Sequence, residues 1–213
     1  MLRAAGLLLA LLARPPATGA FGEAVPPAIR RALHAASVQL APIGCSGVLA
    51  TEPDIVLTAR HCVEGEGYTV EVTFAGGETR EAEVVAVDEV ADQAVLRLRE
   101  AVTIRPLALV RRTQIPGTVL YFEGNPSRPR FQSARLDRIG HCDSLPRLQN
   151  ALFTSINGVP GDSGAPLVDA LARVVGLVHG GAHCHIATPA DTLGRLVDRA
   201  LQRQLVRAPP PAG

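Results

Sequence analysis

Short runs of β-type residues follow one another along most of the chain. Two of them alternate between apolar and polar positions: Tyr68–Phe74 (YTVEVTF) and Ser133–Ile139 (SARLDRI). A period of two is typical of half-buried strands. Further strands are predicted at Ser46–Leu49, Ile55–Thr58, Glu81–Val87, Ala94–Leu98, Thr118–Phe122, Ala151–Thr154, Ala165–Val168, Val174–His179 and His185–Thr188.

A Pro-Gly pair separates the predicted strands into two sets. It ends the segment Val110–Gly117 (VRRTQIPG), which is typical of a turn or linker. The pattern therefore predicts two small β units. From Ala190 to Val206 the spacing of apolar residues changes to that of an amphipathic helix. Its apolar positions are Leu193, Leu196, Val197, Ala200, Leu201 and Leu205.

The composition agrees with this pattern and excludes several classes of protein. The chain has 213 residues, 47% of them apolar, so it can bury a sizeable core and is not disordered as a whole. Its 21 basic and 20 acidic residues give no net field that would attract nucleic acid or a membrane surface. Aromatic residues make up only 3%, whereas 20 glycines and 17 prolines favour many tight turns. We therefore predict an all-β architecture.

The first residues have the organisation of a secretory signal peptide, which we assign to Met1–Ala20. Arg3 precedes an apolar stretch, and Arg14 with two prolines closes it. This stretch has about ten residues, too few for the roughly 20 that span a bilayer as a helix. An ordinary N-terminal helix is the alternative. We expect export to the periplasm or the medium, and no later segment is predicted to span a membrane.

The cysteines fit an exported protein, because an oxidising compartment allows disulfides. The chain has four: Cys45, Cys62, Cys142 and Cys184. Four cysteines permit three pairings, and the sequence alone does not choose among them. We adopt the pairing of Cys45 with Cys62 and of Cys142 with Cys184, because it keeps each bridge within one half of the chain.

A serine lies between glycines in the segment Pro160–Leu167 (PGDSGAPL), a tight loop that leads into an apolar strand. A serine hydroxyl is a weak nucleophile. It needs an adjacent base, and it needs N–H groups directed at the oxygen that becomes negative when a carbonyl is attacked. Glycine permits the backbone turn that directs such groups. Taken alone, Ser163 would be an ordinary residue of a Gly-rich turn.

Two further segments supply a candidate base and a candidate carboxylate. Leu57–Cys62 (LTARHC) ends a β-type run with His61, whose imidazole can act as a base near neutral pH. Asp92–Leu98 (DQAVLRL) places Asp92 just before an apolar strand, where its carboxylate can fix the tautomer of an imidazole. Taken alone, His61 would be a routine surface or core histidine and Asp92 a cap.

TARHC, DQAVLRL and GDSGAPL, in that order, resemble the chymotrypsin/trypsin-like serine peptidase family, whose order is also His, Asp, Ser. The resemblance runs from about Val38 to Val206. It implies two antiparallel β-barrels packed side by side, with the catalytic cleft between them and a C-terminal helix. The expected divisions are a signal peptide at 1–20, an N-terminal segment at 21–34, a first barrel at 35–113, a second barrel at 114–189, and the helix with a Pro-rich tail at 190–213.

The resemblance implies a role for each matched residue. His61 would be the general base and acid, Asp92 its orienting carboxylate and Ser163 the nucleophile, with the N–H groups of Gly161 and Ser163 as the oxyanion hole. The implied reaction is peptide-bond hydrolysis through an acyl-enzyme, without cofactor or metal. We expect a peptide or protein substrate, a protein inhibitor as a further partner, and a monomer.

Two features beside these residues are interpreted through the same resemblance. It suggests a bridge between Cys45 and Cys62, which would pin the histidine-bearing loop. In the family, the aspartate before the serine, here Asp162, pairs with a new N-terminus freed by cleavage, but no Ile-Val-Gly-Gly type segment stands upstream of Cys45. We therefore expect an internal arginine as the partner of Asp162, with Arg135 and Arg138 as candidates.

The substrate pocket in the family is lined by the residue six before the serine and by the strand after the serine loop. These correspond to Asn157 and to His179, Gly180 and Gly181. Asn157 is neutral, so a preference for Lys or Arg is not supported. His179 would either recognise an acidic side chain, support Asp92, or make a routine strand hydrogen bond.

Two other classes of protein remain as alternatives. A second cluster contains His141, Cys142, His183, Cys184 and His185, and mixed Cys/His ligands suit an exported zinc-binding protein. Its spacing is not that of a known zinc finger, and export favours a disulfide. The other alternative is a binding module that keeps the protease fold without turnover, against which the intact set of three residues argues.

Overall fold

A computed structural model describes residues 24–179 and 184–207 of the protein. In this part of the chain, twelve strands form two closed antiparallel barrels of six strands each, and helices precede and follow them. The predictions of an all-β fold, of two barrels and of a C-terminal helix are confirmed. The proposed signal peptide lies outside the described residues.

The first barrel closes with the strand order β1-β2-β3-β6-β5-β4. Alternation produces its core: in the strand Thr69–Phe74, Val70, Val72 and Phe74 are buried, whereas the polar residues between them face outward. The six strands are β1 Ser37–Ala41, β2 Cys45–Leu49, β3 Ile55–Ala59, β4 Thr69–Phe74, β5 Thr79–Asp88 and β6 Gln93–Leu98.

The second barrel has the order β10-β11-β12-β9-β8-β7. Read from its other end, this is the order of the first barrel with β7 in the place of β1, β8 in the place of β2 and so on. The two halves thus share one topology although no repeat is visible in the sequence. A separate apolar core fills this barrel. Its strands are β7 Val119–Gly124, β8 Arg130–Gly140, β9 Ala151–Thr154, β10 Pro166–Val168, β11 Val174–Val178 and β12 Ile186–Pro189.

Helix α2, Ala190–Arg207, connects the two barrels, as it packs against β5 and β6 of the first and against β11 of the second. Leu193, Leu196 and Val197 are buried in the first core, in agreement with the predicted helical spacing. Among the described residues, no helix is long and apolar enough to cross a membrane.

A helix that the sequence analysis missed precedes the first barrel. Helix α1, Pro27–Ala36, buries Ile29, Leu33 and Ala36 and begins with a proline, which is well suited to a first helical turn. The imidazole of His34 contacts the buried carboxylate of Glu123 in β7 at 2.6 Å. The chain from Pro27 to Ala41 therefore consists of α1 and β1, where no element was predicted.

Both predicted disulfides are present, one between Cys45 and Cys62 and one between Cys142 and Cys184. The second bridge corrects the zinc interpretation of the His/Cys cluster, because a disulfide sulfur is not a thiolate ligand. Within the described part of that cluster, His141 contacts Asp143 at 3.2 Å. His183 lies outside the described residues.

Candidate active site

His61 and Asp92 meet because β3 and β6 are neighbours in the first barrel. Ala59, the last residue of β3, pairs with Gln93, the first of β6. The single helical turn after β3 therefore lies beside the residue before β6. The Arg60 N–H donates to the Asp92 carbonyl at 3.1 Å, and the His61 N–H donates to Asp92 Oδ1 at 2.9 Å. His61 Nδ1 lies 2.7 Å from Asp92 Oδ2.

The Asp92 carboxylate is held as an anion. Its side chain is 10% exposed, and its φ of +51° lies in the left-handed region, which aspartate adopts more readily than most residues. Burial opposes ionisation, but hydrogen bonds from His179 and His61 outweigh it and lower the pKa of Asp92 to about 2. A neutral imidazole must donate from Nδ1 to such an acceptor, which leaves Nε2 of His61 free as a base.

A second imidazole binds the same carboxylate oxygen. His179 follows β11, and its Nδ1 lies 2.6 Å from Asp92 Oδ2. The rings of His61 and His179 meet edge to face with centroids 5.4 Å apart. The side chain of His179 is 12% exposed, whereas that of His61 is 44% exposed. Of the roles considered for His179, contact with Asp92 is present in the structure, and contact with a substrate stays a prediction.

The serine loop has a shape that requires glycine at two positions. Gly161 has φ +96° and Gly164 has φ +82°, both in the left-handed region. A Cβ on Gly164 would collide with Ser46 O and Thr58 Oγ1. The Gly164 N–H donates to Val178 O at 2.8 Å, which connects the loop to β11 next to His179. The close packing against β2 and β3 explains the second glycine of the motif.

Ser163 lies against the segment that carries the histidine. Its carbonyl accepts a hydrogen bond from the Ser46 N–H at 2.8 Å and is 3.9 Å from Sγ of Cys62, the residue after His61. Within the described residues, Ser163 Oγ makes no hydrogen bond to His61. Contacts of this kind often shorten only when substrate binds.

Two backbone N–H groups of the serine loop lack a hydrogen-bond partner among the described residues. In the part of the chain that the structure describes, the amides of Gly161 and Ser163 have no hydrogen-bond acceptor. The Gly161 carbonyl is held by Ser46 Oγ at 2.7 Å, and that hydroxyl accepts from the Asn125 N–H at 3.3 Å. The sequence analysis did not identify Ser46, because nothing local distinguishes it from any other strand serine.

The partner of Asp162 is Arg130, which corrects the expectation of Arg135 or Arg138. The Asp162 carboxylate is fully buried, forms an ion pair with Arg130 and accepts the Val159 N–H at 2.8 Å. Burial raises the pKa of Asp162, against the effects of the Val159 amide and of Arg130. Arg138 lies over the Phe153 ring, 3.3 Å from its centroid.

Arg135 in β8 exchanges hydrogen bonds with Ser155, the residue after β9: the Ser155 N–H donates to the Arg135 carbonyl, and the Arg135 N–H donates to Ser155 Oγ. An internal arginine was thus the right kind of partner for Asp162, but the choice of residue was wrong. Arg130 begins β8, whereas Arg135 and Arg138 lie further along that strand.

The predicted pocket residues are only partly described. Asn157 is exposed in the loop after β9, and its carbonyl accepts a hydrogen bond from Gln132 Nε2 at 3.5 Å. Gly180 and Gly181 lie outside the described residues. The structure therefore describes His61, Asp92, Gly161 and Ser163, but only part of the predicted pocket.

Comparisons with known proteins point to one family. A family model described as a trypsin-like peptidase domain matches residues 45–177, more than half of the chain. The Do-like serine protease HtrB of Bacillus subtilis strain 168 is 28% identical over an alignment of 170 residues, which covers 72% of this chain and 37% of that protein. The chain thus spans well under half the length of this curated relative.

Two solved structures have the same fold. The crystal structure of Rv3671c protease in its inactive form has a TM-score of 0.65 and 24% identity, covering 81% of this chain and 92% of that one. The crystal structure of Deg5 has a TM-score of 0.68 and 19% identity, covering 80% of this chain and 91% of that one.

Proposed function

Because the chain belongs to the family of trypsin-like peptidases, we propose that it is an exported serine endopeptidase whose nucleophile is Ser163. The observation that carries this proposal is the contact of 2.7 Å between His61 Nδ1 and Asp92 Oδ2. It uses one nitrogen of the imidazole and leaves the other to accept a proton. Ser163 lies on the loop held against the same segment.

The proposed reaction has two stages. His61 Nε2 takes the hydroxyl proton as Ser163 Oγ attacks the substrate carbonyl, and the resulting imidazolium then protonates the leaving amine to give an acyl-enzyme. Water attacks the ester in the second stage, with His61 again as base. Asp92 keeps the ring in the required tautomer throughout and stabilises the imidazolium.

The oxyanion that forms in each stage would be stabilised by the N–H groups of Gly161 and Ser163. Among the described residues neither has an acceptor, and Gly161, with a φ of +96°, lies in the turn that carries the nucleophile, which supports this role. The ion pair with Arg130 anchors Asp162, which lies between these two residues in the turn. No new N-terminus freed by cleavage is needed in this arrangement, because the guanidinium supplies the positive charge.

Export is supported by the Met1–Ala20 sequence and by the two disulfides. The full gene would be expressed, and the N-terminal sequence of the product in periplasm and medium determined. We expect cleavage close to Ala20. An uncleaved product in the cytoplasm would contradict export without bearing on catalysis.

Labelling with a fluorophosphonate, which reacts with activated serines, tests the catalytic proposal. We expect wild-type protein to be labelled, and Ser163→Ala and His61→Ala not to be. Ser133→Ala, which changes a serine of β8 away from this site, serves as the control and should be labelled like the wild type. A folded wild type that is neither labelled nor active on a casein or peptide-library substrate would support the alternative of a silent binding module.

A further inference from the structure

One carboxylate oxygen in this site receives two imidazoles, although a triad needs only one. His61 Nδ1 and His179 Nδ1 lie 2.7 and 2.6 Å from Asp92 Oδ2. We propose that His61, Asp92 and His179 also form a binding site for a divalent cation of the zinc type, and that the bound cation stops hydrolysis. The binding step is independent of the proposed function, whereas the inhibition rests on it. The sequence analysis assigned no metal, so this site is additional to it.

The ligand atoms are close to the spacing that zinc requires. The candidate atoms of the three side chains all lie within 4.8 Å of one another. Zinc binds imidazole nitrogen at about 2.0–2.1 Å and carboxylate oxygen at about 2.0–2.2 Å, so ligand atoms around a tetrahedral ion are about 3.3 Å apart. The imidazoles must therefore move away from Asp92 Oδ2 by roughly half an ångström. His61 has the freedom to do so, because its side chain is 44% exposed.

The donor set has the chemistry of zinc rather than of magnesium or calcium. Two imidazoles with one carboxylate leave a fourth tetrahedral position for water, whereas the hard cations prefer sites made of oxygen. The His61 N–H donates to Asp92 Oδ1 at 2.9 Å, which orients the carboxylate and leaves Oδ2 as the ligand atom.

Neighbouring groups neither compete for the ion nor repel it strongly. Cys45 and Cys62 are close to His61, but their sulfurs are joined in a disulfide and cannot act as thiolates. The guanidinium of Arg60 points away from the cluster, since its Nε donates to Glu89 at 2.6 Å and its Nη1 to the Val63 carbonyl at 3.0 Å.

Binding would remove the general base by a change of tautomer. A neutral imidazole carries one ring proton, and coordination of the metal at Nδ1 of His61 moves that proton to Nε2. Nε2 then has no lone pair with which to accept the proton of Ser163. No bond to the substrate is involved, so kcat falls while KM changes little.

Isothermal titration of Ser163→Ala protein with zinc chloride tests the site without dependence on activity. We expect one ion per chain and an affinity that falls at least about tenfold when His179→Gln or His61→Gln is added. The side chain of His61 is exposed, so His61→Gln should fold and test the site even if His179→Gln does not fold. A control with His141→Gln and His185→Gln, which alters the His/Cys cluster, should bind zinc unchanged, and magnesium should not bind. Absence of zinc binding, or binding that depends on the control pair and not on His179, would overturn the proposal.

The inhibitory step is tested on wild-type protein by the rate of fluorophosphonate labelling. Zinc should slow labelling in proportion to the occupancy found by titration, and a chelator should restore it. Zinc that binds at His179 but leaves labelling unchanged would overturn the inhibition. A wild type that is never labelled would count against the peptidase function and against inhibition, while the titration would still decide the metal site.

Discussion

Arg130 forms an ion pair with Asp162, the residue before Ser163, and this pair connects the start of β8 to the serine loop. The Asp162 side chain is fully buried and also accepts the Val159 N–H at 2.8 Å. Gly124 allows this approach, because a Cβ there would collide with Asp162 Oδ1. Since Asp162 lies between Gly161 and Ser163 in the chain, we expect the position of its carboxylate to affect the orientation of their N–H groups.

Arg130→Ala should therefore impair catalysis and stability together. Removal of Arg130 leaves the fully buried Asp162 carboxylate without its counter-charge, which costs about 3 kcal/mol, and loss of an ordered oxyanion donor lowers kcat by about 100-fold. Urea denaturation and peptide hydrolysis would measure the two effects. Arg128→Ala, in the loop just before β8 and with an exposed side chain, is the matched control and should change neither. Full activity in Arg130→Ala would show that Asp162 does not need this partner.

Ser46→Ala should lower kcat by about tenfold with little change in KM. Its hydroxyl donates to the Gly161 carbonyl at 2.7 Å, and loss of such a hydrogen bond costs about 1 kcal/mol or somewhat more. The effect falls on orientation of the Gly161 N–H rather than on substrate contacts. Steady-state kinetics on one peptide would separate kcat from KM. A rise in KM alone would argue against this function of Ser46, and Ser46→Thr, which keeps a hydroxyl, should recover part of kcat.

Gly164→Ala should be among the most damaging single substitutions. The added Cβ would meet Ser46 O, Thr58 Oγ1 and, at 2.9 Å, Ala59 N, and the φ of +82° is unfavourable for alanine. Overpacking with left-handed strain suggests a loss of about 3 kcal/mol or more in the free energy of unfolding. Thermal and urea unfolding would measure it. Gly76→Ala, where no atom lies within 4 Å of the added Cβ, should remain close to wild type.

Removal of each disulfide should lower stability, but removal of the first should lower catalytic activity more than removal of the second. Cys45→Ala with Cys62→Ala opens a loop of 17 residues and should cost about 3 kcal/mol of stability, together with activity, because Cys62 follows His61. Cys142→Ala with Cys184→Ala, at a separation of 42, should cost about 4 kcal/mol but less of kcat. Both pairs would be assayed for unfolding and for hydrolysis at a temperature where each remains folded. Equal losses of kcat would contradict the distinction.

Ionisation of Asp169 should make the free energy of unfolding depend on pH in the acid range. Burial opposes its ionisation, but hydrogen bonds from Arg173, at 2.6 and 2.8 Å, and from the N–H groups of Leu171 and Arg173 lower its pKa. A lowered folded-state pKa stabilises the protein above the unfolded value of about 4, and this stabilisation is lost as the pH falls through the folded value.

Asp169→Asn should consequently be less stable than wild type by about 1–2 kcal/mol at pH 7, with the difference shrinking below about pH 4. Urea unfolding at several pH values would measure it. The matched control is Asp143→Asn, whose side chain is 97% exposed and which should follow wild type throughout. A difference independent of pH would mean that the carboxylate charge is not the cause.

The sequence predicted those parts of the molecule whose signals are local. Runs of β-type residues located most strands to within a few residues, and alternation marked the two half-buried runs, Tyr68–Phe74 and Ser133–Ile139. The segment Pro27–Ala41 was missed, although Ile29, Leu33 and Ala36 of α1 recur at helical spacing. The strand β1 is short and almost continuously buried, so it has no clear period. The glycines of the serine loop were also recognisable as part of a motif, whereas the cysteines by themselves left three pairings open.

What the sequence determined by itself was the set of groups available for chemistry: an alcohol between glycines, an imidazole after one strand and a carboxylate before another. Which of them touch was decided by closure of the barrels. The pairing of β3 with β6 brings His61 to Asp92, the end of β11 adds His179 to the same oxygen, and the start of β8 selects Arg130 over Arg135 and Arg138. These contacts join residues from 31 to 87 positions apart. No local pattern encodes such a choice, because it depends on how the loops between the strands come together in space.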